Sequence, residues 1–171
     1  MYRRALACCF GVLLLSVDVA QAQSRLSIRA ASVQPVDGWQ QMQAEHCQTG
    51  CVLWVAPTAA LTESDIEQAE PEVRDDAYRL IKVVFTDAGA KKMRNLSAAQ
   101  LNKLIALVVD EKVIWTPTVA GKLRAGAKNN ILNGNTPQGL TEEEVQRIMG
   151  ILRPGQVPFR INRIFRAEQP R

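Results

Sequence analysis

The sequence contains few of the side chains that usually carry out reactions. It has one histidine, His46, four cysteines and only 5% aromatic residues. The motifs Gly-x-Ser-x-Gly and His-Glu-x-x-His are absent, and so is the P-loop. These absences argue against a serine hydrolase, a zinc protease and a nucleotide-hydrolysing enzyme. Because these motifs are missing, we expect a protein that is not an enzyme and needs no cofactor. The chain also has no internal repeat and no low-complexity segment.

A strong excess of charge of one sign is also lacking. The net charge is +4, and the first 22 residues contribute +1 of it. The remaining +3 favours solubility and does not indicate a nucleic-acid surface, which needs clustered Lys and Arg. Beyond residue 22 no apolar run approaches membrane-spanning length, so we expect no transmembrane segment in the mature chain.

The N-terminus has the pattern of a secretory signal peptide. Arg3 and Arg4 precede an apolar run from Ala5 to Val19, and Ala20-Gln21-Ala22 supplies the small residues of a cleavage site. We predict a signal peptide over 1–22, cleaved after Ala22, and a periplasmic protein. A retained membrane anchor is the alternative, although the apolar run is short for a spanning helix.

Removing the signal peptide leaves two cysteines, Cys47 and Cys51, next to His46. In an oxidising compartment these two cysteines most simply form a disulfide that closes a small loop. A metal site that also uses His46 is one alternative. A thiol enzyme with Cys47 as nucleophile and His46 as base is another.

The segment from Leu104 to Val119 predicts a β-hairpin in the core. Residues 105–109 are apolar on both faces, which favours a central strand. Asp110-Glu111-Lys112 lacks the Asn-Gly or Asp-Gly pair of a two-residue turn, so we expect a loop of three to five residues. Pro117 cannot donate a ladder hydrogen bond and places the second strand at an edge or near its end.

Alternating and helical patterns cover most of the remaining chain. They predict strands at 25–33, 52–55, 80–85 and 130–132. They predict helices at 39–45, from Thr62 to Pro71, from Thr86, at 97–103 and at 141–152. The carboxylates in and directly after the predicted helix from Thr62 to Pro71 are expected on a solvated face: Glu63, Asp65, Glu67, Glu70 and Glu72.

Together these elements predict an α+β fold, a mixed sheet of about five strands with helices packed on one face. The predicted core consists of apolar residues from the strands and from the last helix: Val52, Leu53, Val55, Val83, Phe85, Ile105, Leu107, Val109, Val113, Ile148 and Leu152.

Five segments in a fixed order carry a family resemblance. They read LTESDIEQA, VVFTDAGAKKM, LIALVVDEKVIWTPTV, ILNG and GLTEEEVQRIMGILRPGQVP. This series resembles the periplasmic head domain of SecD, an accessory subunit of the protein-export channel. Glu111 stands where the family hairpin has Gly, and Val145 replaces a small residue of the last helix. We therefore predict a SecD-head-like domain over 61–158, after an N-terminal extension over 23–60.

The resemblance implies a binding module that contacts exported polypeptide or a translocon partner. A sheet edge can hold an extended peptide through main-chain hydrogen bonds, and the candidate residues are Trp115, Pro117 and Thr118, followed by the polar loop Gly121–Gly126. SecD continues into membrane helices that carry proton-coupled pumping, so we expect only the function of the head here. A structural or regulatory envelope protein with a drifted head-like fold is the alternative.

The last residues, 159–171, form a basic tail. Its arginines alternate with apolar side chains, which allows weak contact with anionic lipid. A last strand followed by a solvated end is the other interpretation.

Overall fold

The structure is a computed structural model that describes residues 24–46, 51–74 and 77–153. The predicted signal peptide and basic tail lie outside these residues. Nine strands and two helices occur in the described part of the chain: β1 Leu26–Ser32, β2 Gln40–Gln43, β3 Val52–Val55, β4 Leu61–Thr62, β5 Ile66–Val73, β6 Arg79–Phe85, α1 Asp87–Ala99, β7 Leu104–Val109, β8 Lys112–Trp115, β9 Asn129–Leu132 and α2 Glu142–Leu152.

The larger sheet has the order β2-β3-β1-β7-β8, and β4 also pairs with β1. It curls so far that the residues after β2 reach β8. Ala44 forms an isolated parallel bridge with Val113, and Glu45 N donates to Val113 O at 2.8 Å. The pairings between named strands are antiparallel. The predicted α+β class is therefore confirmed, and parallel contacts are confined to isolated bridges of the described chain.

Strand β7 is buried on both faces, as its apolar run predicts. Ile105, Leu107 and Val109 pack into the main core, whereas Ala106 and Val108 pack into a second cluster inside the curled sheet. The central position of β7 between β1 and β8 follows from this composition, because a strand that is apolar on both faces needs both faces covered by other parts of the protein.

The predicted loop of three to five residues between β7 and β8 is wrong. The turn has two residues, Asp110 and Glu111, which have φ angles of 45° and 65°. Positive φ at both positions suits the two-residue turns that match strand twist. Asp110 N donates to Arg25 O at 2.8 Å, and the Arg25 guanidinium holds the Asp110 carboxylate. This tertiary anchor replaces the glycine that a local turn signal would need.

The smaller sheet has the order β5-β6-β9. Helix α2 packs against β5 and β6, and α1 contacts β4 and β6. Thr86 caps α1 by accepting from Gly89 N at 3.0 Å. The predicted capping box of α2 is present, since Thr141 N donates to Glu144 Oε2 at 2.7 Å and Glu144 N donates to Thr141 Oγ1 at 3.2 Å.

Two predicted helices are strands. The segment 39–45 contains β2, which pairs with β3 and places Met42 against the second core cluster. A short helix fixes many dihedral angles for few hydrogen bonds, so pairing with a neighbouring strand prevails. Thr62 precedes only a 3-10 turn, Glu63–Asp65, and β5 follows.

The acidic residues of that segment therefore do not form a helix face. Asp65 is buried, Glu67 and Glu70 are exposed on β5, and Pro71 lies opposite Ile81. Proline is tolerated there because β5 is an edge strand of the smaller sheet.

The predicted helix at 97–103 is also wrong, because α1 continues to Ala99. Ser97 does not cap a new helix. Its hydroxyl donates to Arg94 O at 2.8 Å and accepts from Leu123 N at 3.1 Å. The side chain thus joins α1 to the loop after β8, which is a contact that local sequence does not reveal.

Most predicted core residues are buried, and two are not. Val52 is 44% exposed because it lies on the outer side of β3, whereas Leu53 and Val55 point inward. Leu152, in the last turn of α2, is only half-buried.

Candidate binding cleft

The outer face of the smaller sheet carries a cleft of about 570 Å³. The lining residues come in threes from its strands: Gln68, Ala69 and Glu70 of β5, Lys82, Val83 and Val84 of β6, and Asn129, Asn130 and Ile131 of β9. A volume of this size is within the range of ligand-binding clefts.

Strand alternation produces the cleft's surface. Ile81, Val83 and Phe85 of β6 are buried on the helix side, so Lys82 and Val84 point to the outer side. Val84 lies between Gln68 and Asn129 in the register of the three strands. The neighbouring row contains Glu70, Lys82 and Ile131. The cleft therefore combines the apolar side chains of two strands with polar and charged neighbours.

The charges at one end of the cleft are organised by Glu72. Its Oε2 lies 2.7 Å from Lys82 Nζ, and its Oε1 accepts from Arg74 Nε at 3.1 Å. The hydrogen bond from Lys82, more than that from Arg74, holds the pKa of Glu72 below its ordinary value. Glu72 is thus an anion at neutral pH that fixes Lys82 along the cleft.

Strand β9 is an edge strand in the described part of the chain, since β6 is its strand partner. Ile131 N donates to the side chain of the preceding residue, Asn130 Oδ1, at 2.8 Å. An edge amide held by a side chain can exchange that acceptor for the carbonyl of an added strand.

Two of the three residues predicted to bind polypeptide lie beside this edge. Trp115 and Pro117 line a smaller cavity of about 60 Å³ between β7 and β9, and Asn130 and Ile131 line both this cavity and the cleft. Thr118 is exposed and bridges Leu104, so it does not line the small cavity. Trp115 and Pro117 therefore lie next to two residues of the cleft without lining it, and the polypeptide-binding role of Trp115, Pro117 and Thr118 stays a prediction.

Sequence reasoning missed the residues that form most of the cleft. The alternation in LIKVVF could have placed Lys82 and Val84 on one face. Gln68 lies in a segment for which the sequence predicts a helix, and Ile131 lies more than 45 residues further along the chain, so no local signal joins them. Only the strand order brings these residues together.

Only one of the two cysteines of the predicted disulfide, Cys51, lies in the described residues. Cys51 directly precedes β3, its carbonyl oxygen accepts from Ala44 N at 3.0 Å, and it is disulfide-bonded. Cys47 lies outside the described residues, so the pairing of Cys47 with Cys51 stays a prediction. His46 is exposed, and its Nε2 lies 3.7 Å from Glu144 Oε1.

Neither helix in the described ranges has the length and apolar character that crossing a bilayer requires.

Comparison with known proteins places the described fold in a family. Residues 40–159, more than half of the chain, match the family described as SecDF, P1 head subdomain. The match begins within the segment 23–60 that was predicted as an extension; the predicted domain boundaries stay predictions.

Curated relatives agree with this match. The chain is 24% identical over 101 residues to "Protein translocase subunit SecD" of Acidaminococcus fermentans. The aligned region covers 59% of this chain and 23% of the relative. It is 27% identical over 99 residues to the protein of that name from Elusimicrobium minutum, which covers 57% of this chain and 20% of the relative. The chain thus spans less than a quarter of the length of these relatives.

Solved structures share the fold. "Crystal structure of SecDF in Super-membrane-facing form" and "Structure and function of a membrane component SecDF that enhances protein export" each match with a TM-score of 0.54 and 18% identity. Both matches cover 79% of this chain, and they cover 20% and 65% of the solved chains, respectively. At this identity the likeness concerns the fold alone. The resemblance seen in the sequence is therefore confirmed by the family match, and the chain belongs to the SecDF P1 head subdomain family.

Proposed function

We propose that this protein is a non-catalytic periplasmic binding module that holds extended polypeptide, or a translocon partner, during protein export. The observation that carries this proposal is the cleft over β5, β6 and β9, which joins an apolar surface to an edge strand. Membership of the SecDF P1 head family and the signal-peptide pattern support the role and the compartment.

The dimensions of the edge suit a short extended segment. At about 3.3 Å per residue, the four residues of β9 offer an edge of roughly 13 Å. Main-chain hydrogen bonds along this edge would bind without regard to sequence, and Val84, Ile131 and Trp115 offer apolar contacts beside it. A module that meets many exported chains needs this combination.

Photocrosslinking in the periplasm tests the proposal. A photoreactive amino acid replaces Val84 or Ile131 in the cleft, and a matched variant carries it at Val33, which is 63% exposed on a loop away from the cleft. We expect exported chains or translocon subunits to be captured from the two cleft positions and not from Val33. Equal capture from all three positions, or capture of neither class of protein, would contradict the proposal.

The same experiment separates the structural or regulatory alternative. Capture of one unrelated envelope protein from Val84 and Ile131, without exported chains, would favour a head-like fold that serves another partner. Thiol titration addresses the enzyme alternative: the binding-module proposal expects oxidised cysteines, in keeping with the disulfide-bonded state of Cys51. A reactive thiolate at Cys47 would instead favour a thiol enzyme.

A further inference from the structure

Three side chains of the kinds that bind metal ions meet on the side of the fold where the curled sheet closes. Glu45 and His46 follow the bridge from Ala44 to Val113, and Glu144 lies in the first turn of α2. One ligand atom from each of the three residues lies within 4.8 Å of the others. The cluster is separate from the cleft over β5, β6 and β9.

The Glu144 carboxylate has one oxygen that needs a partner. The residue is 2% exposed, and its Oε2 accepts from Thr141 N in the capping box. Its Oε1 is buried and has no hydrogen-bond partner among the described residues. His46 Nε2 lies 3.7 Å from this oxygen, which is too far for a hydrogen bond. A buried carboxylate oxygen without a partner is costly, and a cation between these two atoms would remove the cost.

The spacing suits a shared ion. Zinc binds imidazole nitrogen at about 2.0–2.1 Å and carboxylate oxygen at about 2.0–2.2 Å, so two tetrahedral ligands lie about 3.4 Å apart. The observed 3.7 Å between His46 Nε2 and Glu144 Oε1 needs only a small adjustment.

Two hydrogen bonds to main-chain atoms of Glu45 hold the backbone that precedes His46. Glu45 N donates to Val113 O at 2.8 Å, and Asn135 Nδ2 donates to Glu45 O at 3.2 Å. These bonds fix the peptide that leads into His46, whose φ angle is 55°. The imidazole is therefore presented to Glu144 from a well-anchored main chain.

Two cations also approach Glu45 and weaken it as a ligand. Lys112 Nζ lies 2.7 Å from Oε1, and Arg147 Nη1 lies 3.7 Å from Oε2. The Lys112 side chain is 56% exposed and can turn into solvent when another cation takes the Glu45 carboxylate. His46 and Glu144 are thus the principal ligands, and Glu45 is the third.

We propose that His46 Nε2, Glu144 Oε1 and the Glu45 carboxylate bind a divalent transition-metal ion of the zinc class, with water completing its coordination. The bound ion joins the segment that closes the larger sheet to the start of α2. This is a structural metal site, and it does not depend on the proposed polypeptide-binding role.

Titration of the untagged, full-length protein with zinc chloride under oxidising conditions tests the site. We expect one zinc ion per chain and a rise in the melting temperature that a chelator reverses. His46→Ala and Glu144→Gln should each weaken zinc binding at least tenfold, in line with loss of a principal ligand. Glutamine retains the hydrogen-bonding pattern of a capping box, so Glu144→Gln separates loss of the ligand from loss of the fold.

Glu143→Gln is the matched control, because Glu143 is an exposed carboxylate in the same helical turn. It should leave zinc affinity unchanged within twofold. Cobalt offers a spectroscopic check, since nitrogen and oxygen ligands give no thiolate charge-transfer band. Absence of zinc binding, equal affinity in Glu144→Gln and Glu143→Gln, or a thiolate band with cobalt would each overturn the proposal.

Discussion

Lys92 Nζ lies 2.8 Å and 3.0 Å from the two carboxylate oxygens of Asp65, a side chain that is almost fully buried. The contact joins α1 to the 3-10 turn before β5. Asp65 Oδ2 also accepts from Thr62 N at 3.0 Å. Lys92 is half-exposed, so water screens the pair, but the buried carboxylate has few other partners.

Replacing Lys92 tests the importance of this contact. Lys92→Met keeps the length of the aliphatic stem and removes the ammonium group, which leaves the buried Asp65 carboxylate with less compensation. We expect the free energy of unfolding to fall by about 1 kcal/mol, the low end for a buried polar group that loses a partner. Urea denaturation measures the change. Lys91→Met, at an exposed position of the same helix, should change stability far less; equal losses in both variants would mean that the Asp65 contact contributes little.

Gly89 shows how closely α1 approaches the same turn. A Cβ at this position would lie 2.2 Å from Asp65 O and 2.9 Å from Asp65 Cβ. Gly89→Ala therefore forces the backbone of the turn to shift, and we expect a loss of about 1–3 kcal/mol in the free energy of unfolding.

Gly150→Ala is the matched substitution in α2. A Cβ at Gly150 meets nothing within 4 Å, so alanine should stabilise the helix by about 0.5–1 kcal/mol. Chemical denaturation of the two variants should give changes of opposite sign. A neutral Gly89→Ala would show that α1 and the turn are not in close contact.

Leu107 lies at the centre of the fold. It is 2% exposed and is paired with Ile28 of β1 on one side and Trp115 of β8 on the other. Leu107→Asp places an unpaired charge in the core, and we expect a loss of more than about 4 kcal/mol, enough to unfold a marginally stable domain. Circular dichroism with thermal melting measures this loss. Val33→Asp, at an exposed position, should melt like the parent protein, and a soluble Leu107→Asp variant with an unchanged melting temperature would refute the core position of β7.

The ion pair between Arg25 and Asp110 predicts a dependence of stability on pH. Arg25 Nε and Nη2 donate to the two Asp110 oxygens at 2.8 Å and 3.2 Å. This hydrogen bonding, followed by the charge of the guanidinium, lowers the pKa of Asp110 below its ordinary value. Because the folded state binds this proton less readily than the unfolded state, the pair stabilises the fold at neutral pH. That stabilisation is lost as the pH falls through the ordinary pKa and then the lowered pKa of Asp110.

Asp110→Asn isolates the contribution of the charge, because asparagine tolerates the positive φ of this turn position. We expect a cost of about 0.2–1 kcal/mol at about pH 7, as for other solvent-accessible pairs. The cost should shrink when both proteins are compared at about pH 3. A difference that stays constant between the two pH values would mean that the turn geometry, and not the charge, accounts for the cost.

The sequence by itself determined the elements whose signals are local. The apolar run of β7, the alternating pattern of β6 and the capping residues Thr86 and Thr141 each specify structure within a few residues of themselves. The order of five such segments was enough to indicate the family, because each segment keeps its own turn, cap or strand signal.

Only the tertiary structure decided the features that depend on distant partners. Residues 40–43 form a strand because β3 supplies their hydrogen bonds, and the turn at Asp110 closes in two residues because Arg25 holds it. The cleft depends on the register of β5, β6 and β9. The cluster of His46 with Glu144 forms because the larger sheet curls until His46, shortly after β2, lies beside α2. Local sequence cannot encode these contacts, because each one exists only after separate elements have packed together.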